Sequence, residues 1–204
     1  MKNIILILIF LVFSSCEKKE KRDESSILKS KNINEIVAAV IAQDSLPVSK
    51  NNASSRMFCV DLTKINIYIP EKSDNPNLPP PPSFNGISIN QLLKSKVKEE
   101  IFFSTADSAF LISQNKEQNE FQIEEEIIKK INSTTSKEEK IKQEKGEKYD
   151  FYKITIPVFS KDMTKAYVEL NHFCGSLCGE GRVLFLSKIN GKWIIVANYQ
   201  KWIS

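Results

Sequence analysis

The carboxy-terminal part of the chain constrains the fold most, because apolar and polar residues alternate along it on both sides of Asn190-Gly191. An Asn-Gly pair between two alternating segments is the strongest short-range signal of a β-hairpin. The pattern predicts three strands, at 165–173, 182–189 and 192–203. They would form an antiparallel meander, preceded by an extended segment over 149–159 in which Pro157 marks an edge or a break.

Segments nearer the amino terminus carry apolar residues at helical spacing. Over 32–44 these residues recur at intervals of three and four, which places them on one stripe of a helix. A second helix is predicted over 88–100, where Ser88 and Gln91 have the spacing of a capping box. The amphipathic segment 121–131 predicts a third helix. Helices packed on one face of an antiparallel meander define the α+β class, and we expect a single α+β domain over residues 32–204.

The connecting segments have weaker patterns. Ile65, Ile67 and Ile69 alternate with polar residues and predict extended structure over 56–70. Residues 71–85 contain four successive prolines and are expected to form a rigid loop. Two short strands are predicted at 101–104 and 110–113. The segment 133–148 is predicted as a charged, exposed helix or loop.

The first residues of the chain have the pattern of a secretory signal peptide. Lys2 precedes an unbroken apolar run over 4–13. As a helix with a rise of about 1.5 Å per residue, this run covers roughly 15 Å. The hydrocarbon core of a bilayer is about 30 Å thick, so the run is too short to span it alone. We therefore expect residues 1–15 to be a signal peptide that is removed.

Ser14-Ser15-Cys16 follows this apolar run directly. Small residues before a cysteine at this place resemble the lipobox of bacterial lipoproteins, with Phe13 where leucine is most common. The resemblance implies that Cys16 is joined to diacylglycerol and that its new amino group is acylated. These lipids would insert into the membrane, which is therefore an expected partner of the protein. Two or more acyl chains anchor a protein stably, since each buried CH₂ contributes about 0.8 kcal/mol. The expected location is the cell envelope, at the outer membrane, with the leaflet left open.

Composition excludes some classes of function and leaves others. Residues 16–31 have mixed charge and too little apolar surface to fold alone, which predicts a flexible tether between lipid and domain. The formal net charge of +4 is slight for this length and argues against nucleic acid as a main partner. His172 is the single histidine, so no site in the chain can use two.

Three cysteines remain besides the predicted lipid site: Cys59, Cys174 and Cys178. An odd number leaves at least one thiol unpaired or bonded to another molecule. Cys174 and Cys178 lie in the glycine-rich segment 172–181, which is predicted to join two strands. A local structural disulfide, two free thiols, a redox-active pair, and a metal site formed with His172 and Cys59 all remain open. Zinc accepts these ligand types, although their spacing matches no common zinc site. No other cofactor is predicted.

His172 has the strand parity of Ala166, Val168 and Leu170, so its side chain is expected on the apolar face. A hydrogen-bonded core histidine is the ordinary explanation for such a position. A cysteine nucleophile would need a basic partner and a group that orients it. His172 could be the partner, but the sequence reveals no third member.

The carboxy-terminal part resembles a recurring module of uncharacterised bacterial envelope proteins. The residues that carry the resemblance are the motifs at 157–160, 165–168, 174–181, 190–193 and 202–204. The resemblance covers roughly the last quarter of the chain and implies no activity.

These observations lead to three hypotheses of function. The first is a lipid-anchored envelope protein that serves as a non-catalytic binding or assembly component, with an envelope protein as one candidate partner. The second is an envelope thiol, redox or metal-dependent enzyme that uses His172, Cys174 and Cys178. The third is a lipoprotein inhibitor or immunity factor.

Overall fold

A computed structural model describes residues 24–70 and 86–204. The predicted signal peptide, the lipid site Cys16 and the loop predicted at 71–85 lie outside the described residues. The helices of the described part are α1 (Glu24–Gln43), α2 (Ile89–Lys94), α3 (Ser108–Ser113), α4 (Glu125–Ile128) and α5 (Ser136–Glu144). Its strands are β1 (Met57–Cys59), β2 (Asp61–Thr63), β3 (Asn66–Tyr68), β4 (Gly86–Ser88), β5 (Lys96–Val97), β6 (Glu100–Ile101), β7 (Glu120–Gln122), β8 (Ser133–Thr134), β9 (Phe151–Ile154), β10 (Val158–Phe159), β11 (Lys165–Gly175), β12 (Cys178–Ile189) and β13 (Lys192–Ile203).

The main sheet has the strand order β13-β12-β11-β9-β1-β8, and β10 pairs with β11 beside this path. The consecutive pairs from β9 to β13 are antiparallel. In contrast, β1 runs parallel to both β8 and β9. Small two-stranded sheets join β2 to β7, β3 to β4, and β5 to β6. Helices combined with a mostly antiparallel sheet confirm the α+β class.

The three long carboxy-terminal strands form the predicted meander. β12 and β13 meet at Asn190 and Gly191, whose φ angles of 50° and 77° are both positive, as a two-residue hairpin turn requires. β11 continues to Gly175 and β12 starts at Cys178. Most of the segment 172–181 is therefore strand, and the prediction of a longer loop there is wrong.

The extended segments predicted over 56–70 and 149–159 are present as short strands. The first contains β1, β2 and β3, and the second contains β9 and β10. Pro157 lies between β9 and β10, where the missing N–H of proline interrupts the ladder of hydrogen bonds.

Two hydrophobic clusters lie on opposite faces of β11, because successive side chains of a strand point to opposite sides. Ala166, Val168 and Leu170 belong to the first cluster, whereas Tyr167 belongs to the second. The first cluster also contains Ile33, Ile36, Val37 and Val40 of α1, with Phe58, Leu184, Leu186 and Trp193. The second also contains Ile67, Ile87, Leu92, Phe103, Leu111 and Phe185. Since α1 packs on one face and α2 and α3 contribute to the other, the structure does not confirm helices on one face only.

Helix α1 begins at Glu24, so the segment 16–31, predicted as a flexible tether, is helical in its second half. The prediction is wrong there because a tertiary contact holds the first turns. The Lys29 ammonium forms an ion pair with Glu117 and lies 5.9 Å from the ring centre of Phe159. No helix within residues 24–70 and 86–204 combines the length and the apolar character needed to cross a membrane.

The helix predicted over 88–100 is shorter in the structure, where it ends at Lys94. Its capping box is confirmed. The Ser88 N–H donates to Gln91 Oε1, and the Gln91 N–H donates to the Ser88 hydroxyl oxygen. β5 and β6 then form a hairpin in place of the rest of the predicted helix.

One further prediction in this part of the chain is wrong, and two are confirmed only in part. Residues 110–113, predicted as a strand, belong to α3. Residues 121–131, predicted as a helix, contain the end of β7 and the short helix α4. The strand predicted at 101–104 is limited to the end of β6. Segments 101–104 and 110–113 are too short for the spacing of their apolar residues to distinguish a strand from a helix.

The charged segment 133–148 contains helix α5. The Thr135 hydroxyl accepts from the Glu138 N–H, and the Glu138 carboxylate accepts from the Thr135 N–H, which forms a second capping box. Glu139 departs from the expected solvated face, since it is only 1% exposed. Its Oε1 accepts a hydrogen bond of 2.6 Å from the Thr134 hydroxyl.

The indole ring of Trp202 lies against the backbone of β12 at two glycines. A Cβ at Gly179 would approach the ring to 3.0 Å, and a Cβ at Gly181 would overlap it. The indole N–H donates to Asn171 Oδ1 at 3.0 Å, and the Phe173 ring centre is 5.9 Å away. Glycine at position 181 is therefore required by this close approach.

Candidate functional site

His172 lies on β11 beside Tyr152 of β9, and the two rings stack with their centres 4.6 Å apart. Its side chain is buried, and its Nε2 is 2.7 Å from Asp150 Oδ1. The Asp150 carboxylate also forms an ion pair with Arg56, whose Nε lies 3.2 Å from Asp150 Oδ2. His172 is thus a hydrogen-bonded histidine at the edge of the first cluster, as its strand parity predicts.

Cys174 and Cys178 are joined by a disulfide, one of the alternatives that the sequence left open. Their Cα atoms are 5.1 Å apart, at the end of the hairpin of β11 and β12. Leu177, in the turn between them, is 88% exposed. The bond closes the hairpin end where few apolar contacts are available to hold it.

Cys59 does not join the other candidate metal ligands. Phe58 pairs with Tyr152, and Tyr152 pairs with His172, so these three side chains share one face of the sheet. Cys59 follows Phe58 along β1 and therefore points to the opposite face. Across residues 24–70 and 86–204, no group of three or more His, Cys, Asp and Glu side chains is arranged to hold a metal ion.

Cys59 instead donates to the Asp61 carboxylate and contacts the Ser136 hydroxyl near the start of α5. Its Sγ is 3.0 Å from Asp61 Oδ1 and 3.4 Å from the Ser136 hydroxyl oxygen. Burial, reinforced by the hydrogen bond to Asp61, raises the pKa of Cys59 to about 12. Because the thiolate is the reactive form of cysteine, this thiol is unreactive at neutral pH.

Asp61 of β2 and Lys153 of β9 hold the start of α5. Its carboxylate accepts from the Ser136 N–H at 2.8 and 3.1 Å, and the Lys153 ammonium donates to the Ser136 hydroxyl at 2.8 Å. Burial alone would raise the pKa of Asp61, but the hydrogen bonds from Cys59 and Ser136 outweigh it and lower the pKa. The sequence patterns did not reveal this group, which serves as a helix cap.

A cleft of about 840 Å³ lies beside the first half of α1. Lys29, Ser30 and Ile33 contribute from the helix, and the opposite side comes from residues between Lys116 and Phe121. A recess of about 20 Å³ adjoins the cleft and shares Lys29 in its lining. The arrangement has the size of a small-molecule site, for which about 300–1,000 Å³ is usual.

Lys29 is the electrostatically unusual residue of this cleft. Burial, followed by repulsion from the ammonium of Lys64, lowers the pKa of Lys29 to about 8. The Lys29 ammonium pairs with Glu117. A perturbed ionisable group that lines a cleft is a recognised mark of a functional site.

Lys64 lines the recess and holds its ammonium against the main chain. Its Nζ donates to the carbonyl oxygens of Asn115 at 2.5 Å and of Glu117 at 2.9 Å. These acceptors are neutral, so they orient the Lys64 ammonium without cancelling its charge.

Sequence reasoning missed this cleft. Its residues come from three distant segments of the chain, and Lys29 stood in the predicted tether. The mixed-charge sequence around Lys29 does not indicate a cleft, because the cleft forms only when α1 packs against the other segments.

Comparison with protein-family models, with curated proteins and with solved structures gives no match.

Proposed function

We propose that the chain is a lipid-anchored protein of the bacterial cell envelope that acts as a non-catalytic binding component, with the cleft beside α1 as its binding site. The observation that carries the binding part is this cleft of about 840 Å³, which contains a lysine of lowered pKa. Most of its lining is polar side chains, with Ile33, Phe121 and Ile156 as an apolar part.

The proposed location rests on the leader and the cysteine that follows it. The short apolar run, the small residues and Cys16 have the order of a lipoprotein signal. The disulfide between Cys174 and Cys178 supports an oxidising compartment, because disulfides persist in the envelope and are rare in the cytosol. The expected location is the outer membrane.

The position of the cleft is consistent with a site near the lipid surface. The chain from Cys16 to Glu24 spans at most about 30 Å when fully extended. Because α1 begins at Glu24 and lines the cleft, the anchor would hold the cleft within reach of the membrane surface.

The alternative enzyme hypothesis receives less support from the arrangement of its residues. Cys174 and Cys178 are bonded to each other, and His172 Nε2 is engaged by Asp150. Neither cysteine lines a cleft described above.

Lipid labelling tests the proposed anchor. Cells are fed a fatty acid with an alkyne tail, and the labelled protein is followed by mobility and by partition between water and detergent. We expect label on the wild type and none on Cys16→Ala. The double variant Cys174→Ala/Cys178→Ala is the matched control and should keep the label. Label retained by Cys16→Ala would contradict the proposed anchor.

Native mass spectrometry tests the proposed binding function. The protein is released from envelopes and its mass is compared with that of Ser30→Phe, which places a ring in the cleft. We expect the wild type to carry a small molecule that the variant lacks. The same mass excess in both proteins, or none in either, would contradict binding in this cleft.

A further inference from the structure

We infer that the cleft beside α1 takes a single-chain organic anion, whose carboxylate or phosphate head group enters the recess between Lys29 and Lys64. The apolar chain of this ligand would lie along the cleft. The inference rests on the proposed binding function and adds the chemical class of the ligand.

The recess holds more positive than negative charge. Lys29 and Lys64 are close enough for the charge of Lys64 to contribute to the lowered pKa of Lys29. Glu117 pairs with Lys29, whereas Lys64 contacts neutral carbonyl oxygens and forms an ion pair with no carboxylate of the described residues. The lining of the recess thus contains two ammonium groups and one carboxylate. An anionic head group would balance the second charge, and partial burial strengthens that attraction.

The recess has room for part of a head group. Its volume is about 20 Å³, somewhat above the roughly 10–15 Å³ that one water molecule needs. One oxygen of a carboxylate or phosphate therefore fits there without displacement of Lys29 or Lys64. The rest of the head group would lie at the junction with the larger cleft.

The larger cleft offers contacts for an apolar chain. Ile33 of α1, Phe121 and Ile156 line it together with the polar residues. Lys116 and Glu120 also line the cleft, and because their charges are opposite they leave its net charge unchanged. A purely inorganic anion would use the lysines and leave the apolar contacts unused, so an amphiphilic anion matches the lining better.

Calorimetric titration with defined probes tests this inference. The protein is the mature chain from residue 16 carrying Cys16→Ala, so that no attached lipid competes. The probes are octanoate, octyl phosphate, inorganic phosphate and 1-octanol, each below its micelle concentration. We expect one of the two amphiphilic anions to bind about tenfold or more tightly than octanol, as loss of a charge-assisted contact predicts. The tighter of the two indicates whether carboxylates or phosphates are the natural source. Octanol binding as tightly as both anions would overturn the inference.

Substitutions of the two lysines locate the head group. Lys29→Gln and Lys64→Gln should each weaken binding of the preferred anion by about tenfold, whereas Lys29→Arg should retain it. Lys137→Gln, at an exposed position of α5, is the matched control and should bind as the wild type does. Unchanged affinity in both glutamine variants would overturn the inference.

A measurement on the unaltered side chains guards against misfolded variants. At pH 8, acetic anhydride should acetylate Lys29 earlier than other lysines. Bound octanoate or octyl phosphate should slow the acetylation of Lys29. Absence of protection by both anions would overturn the inference. If native mass spectrometry then finds a neutral molecule in the cleft, the proposed binding function stands and only the anionic class fails.

Discussion

Replacing Gly181 by alanine would place a methyl group inside the indole ring of Trp202. The added Cβ would lie 2.5 Å from Cε2 of the ring, with Nε1 and Cδ1 nearer still. No rotation of a methyl group relieves such an overlap, so the indole must move. The ring would then lose its hydrogen bond to Asn171 and its contact with Phe173.

The expected loss of stability follows from these two contacts. A neutral hydrogen bond contributes about 0.5–1.5 kcal/mol, and an aromatic pair contributes about 0.5–1.5 kcal/mol. Alanine lowers the entropy of the unfolded chain, which offsets about 0.4–1 kcal/mol. We therefore expect Gly181→Ala to lower the free energy of unfolding by about 1–2 kcal/mol and Tm by about 2–8 °C for a chain of this size.

A double-mutant cycle measures whether the indole is the cause. Chemical unfolding is followed for wild type, Gly181→Ala, Trp202→Ala and the double variant. In the Trp202→Ala background, alanine at position 181 should be neutral or slightly stabilising, because the ring that it would overlap is absent. Equal destabilisation by Gly181→Ala in both backgrounds, or none in the wild type, would refute this reasoning.

Three other predictions concern the cysteines and a buried carboxylate. Replacing Cys174 and Cys178 by alanine should lower the free energy of unfolding by about 2 kcal/mol, the loop-entropy value for so short a closed loop; a loss beyond about 4 kcal/mol would point to a wider role. Cys59 should react with a thiol reagent only when the protein unfolds, since it is buried and its pKa is about 12. Rapid native labelling in the double alanine variant would contradict this. Burial alone would raise the pKa of Asp107, but hydrogen bonds from Lys161 and Ser104 lower it, so its stabilisation is present above about pH 4 and is lost as pH falls through the folded pKa. Asp107→Asn should therefore cost about 1–3 kcal/mol at pH 7 and less at pH 3; an unchanged deficit at pH 3 in denaturant unfolding would contradict the assignment.

The carboxy-terminal meander could be predicted because its information is local. Alternation fixes which side chains share a face, and Asn190-Gly191 fixes the turn that joins β12 to β13. The position of His172 follows from the same parity. The disulfide stayed one of several alternatives, because spacing alone does not decide whether two nearby cysteines are bonded.

The middle of the chain was predicted poorly, since its apolar runs are short. The apolar pattern of residues 110–113 is compatible with a strand or a helix. The helix is stabilised by burial of Leu111 in the second hydrophobic cluster. No local pattern contains that information.

The start of α1 and the cleft beside it depend on contacts between distant residues. Lys29 meets Glu117, and Lys64 meets the main chain at Asn115. A polar sequence from 24 to 31 is compatible with a tether until these partners are brought together by the fold.

The mass of the amino-terminal peptide of the protein taken from bacterial envelopes tests the central claim most directly. The account predicts a peptide that begins at Cys16 and carries a diacylglyceryl group with a further acyl chain on its amino group. A peptide that begins at Met1, or one that contains an unmodified Cys16, would contradict it.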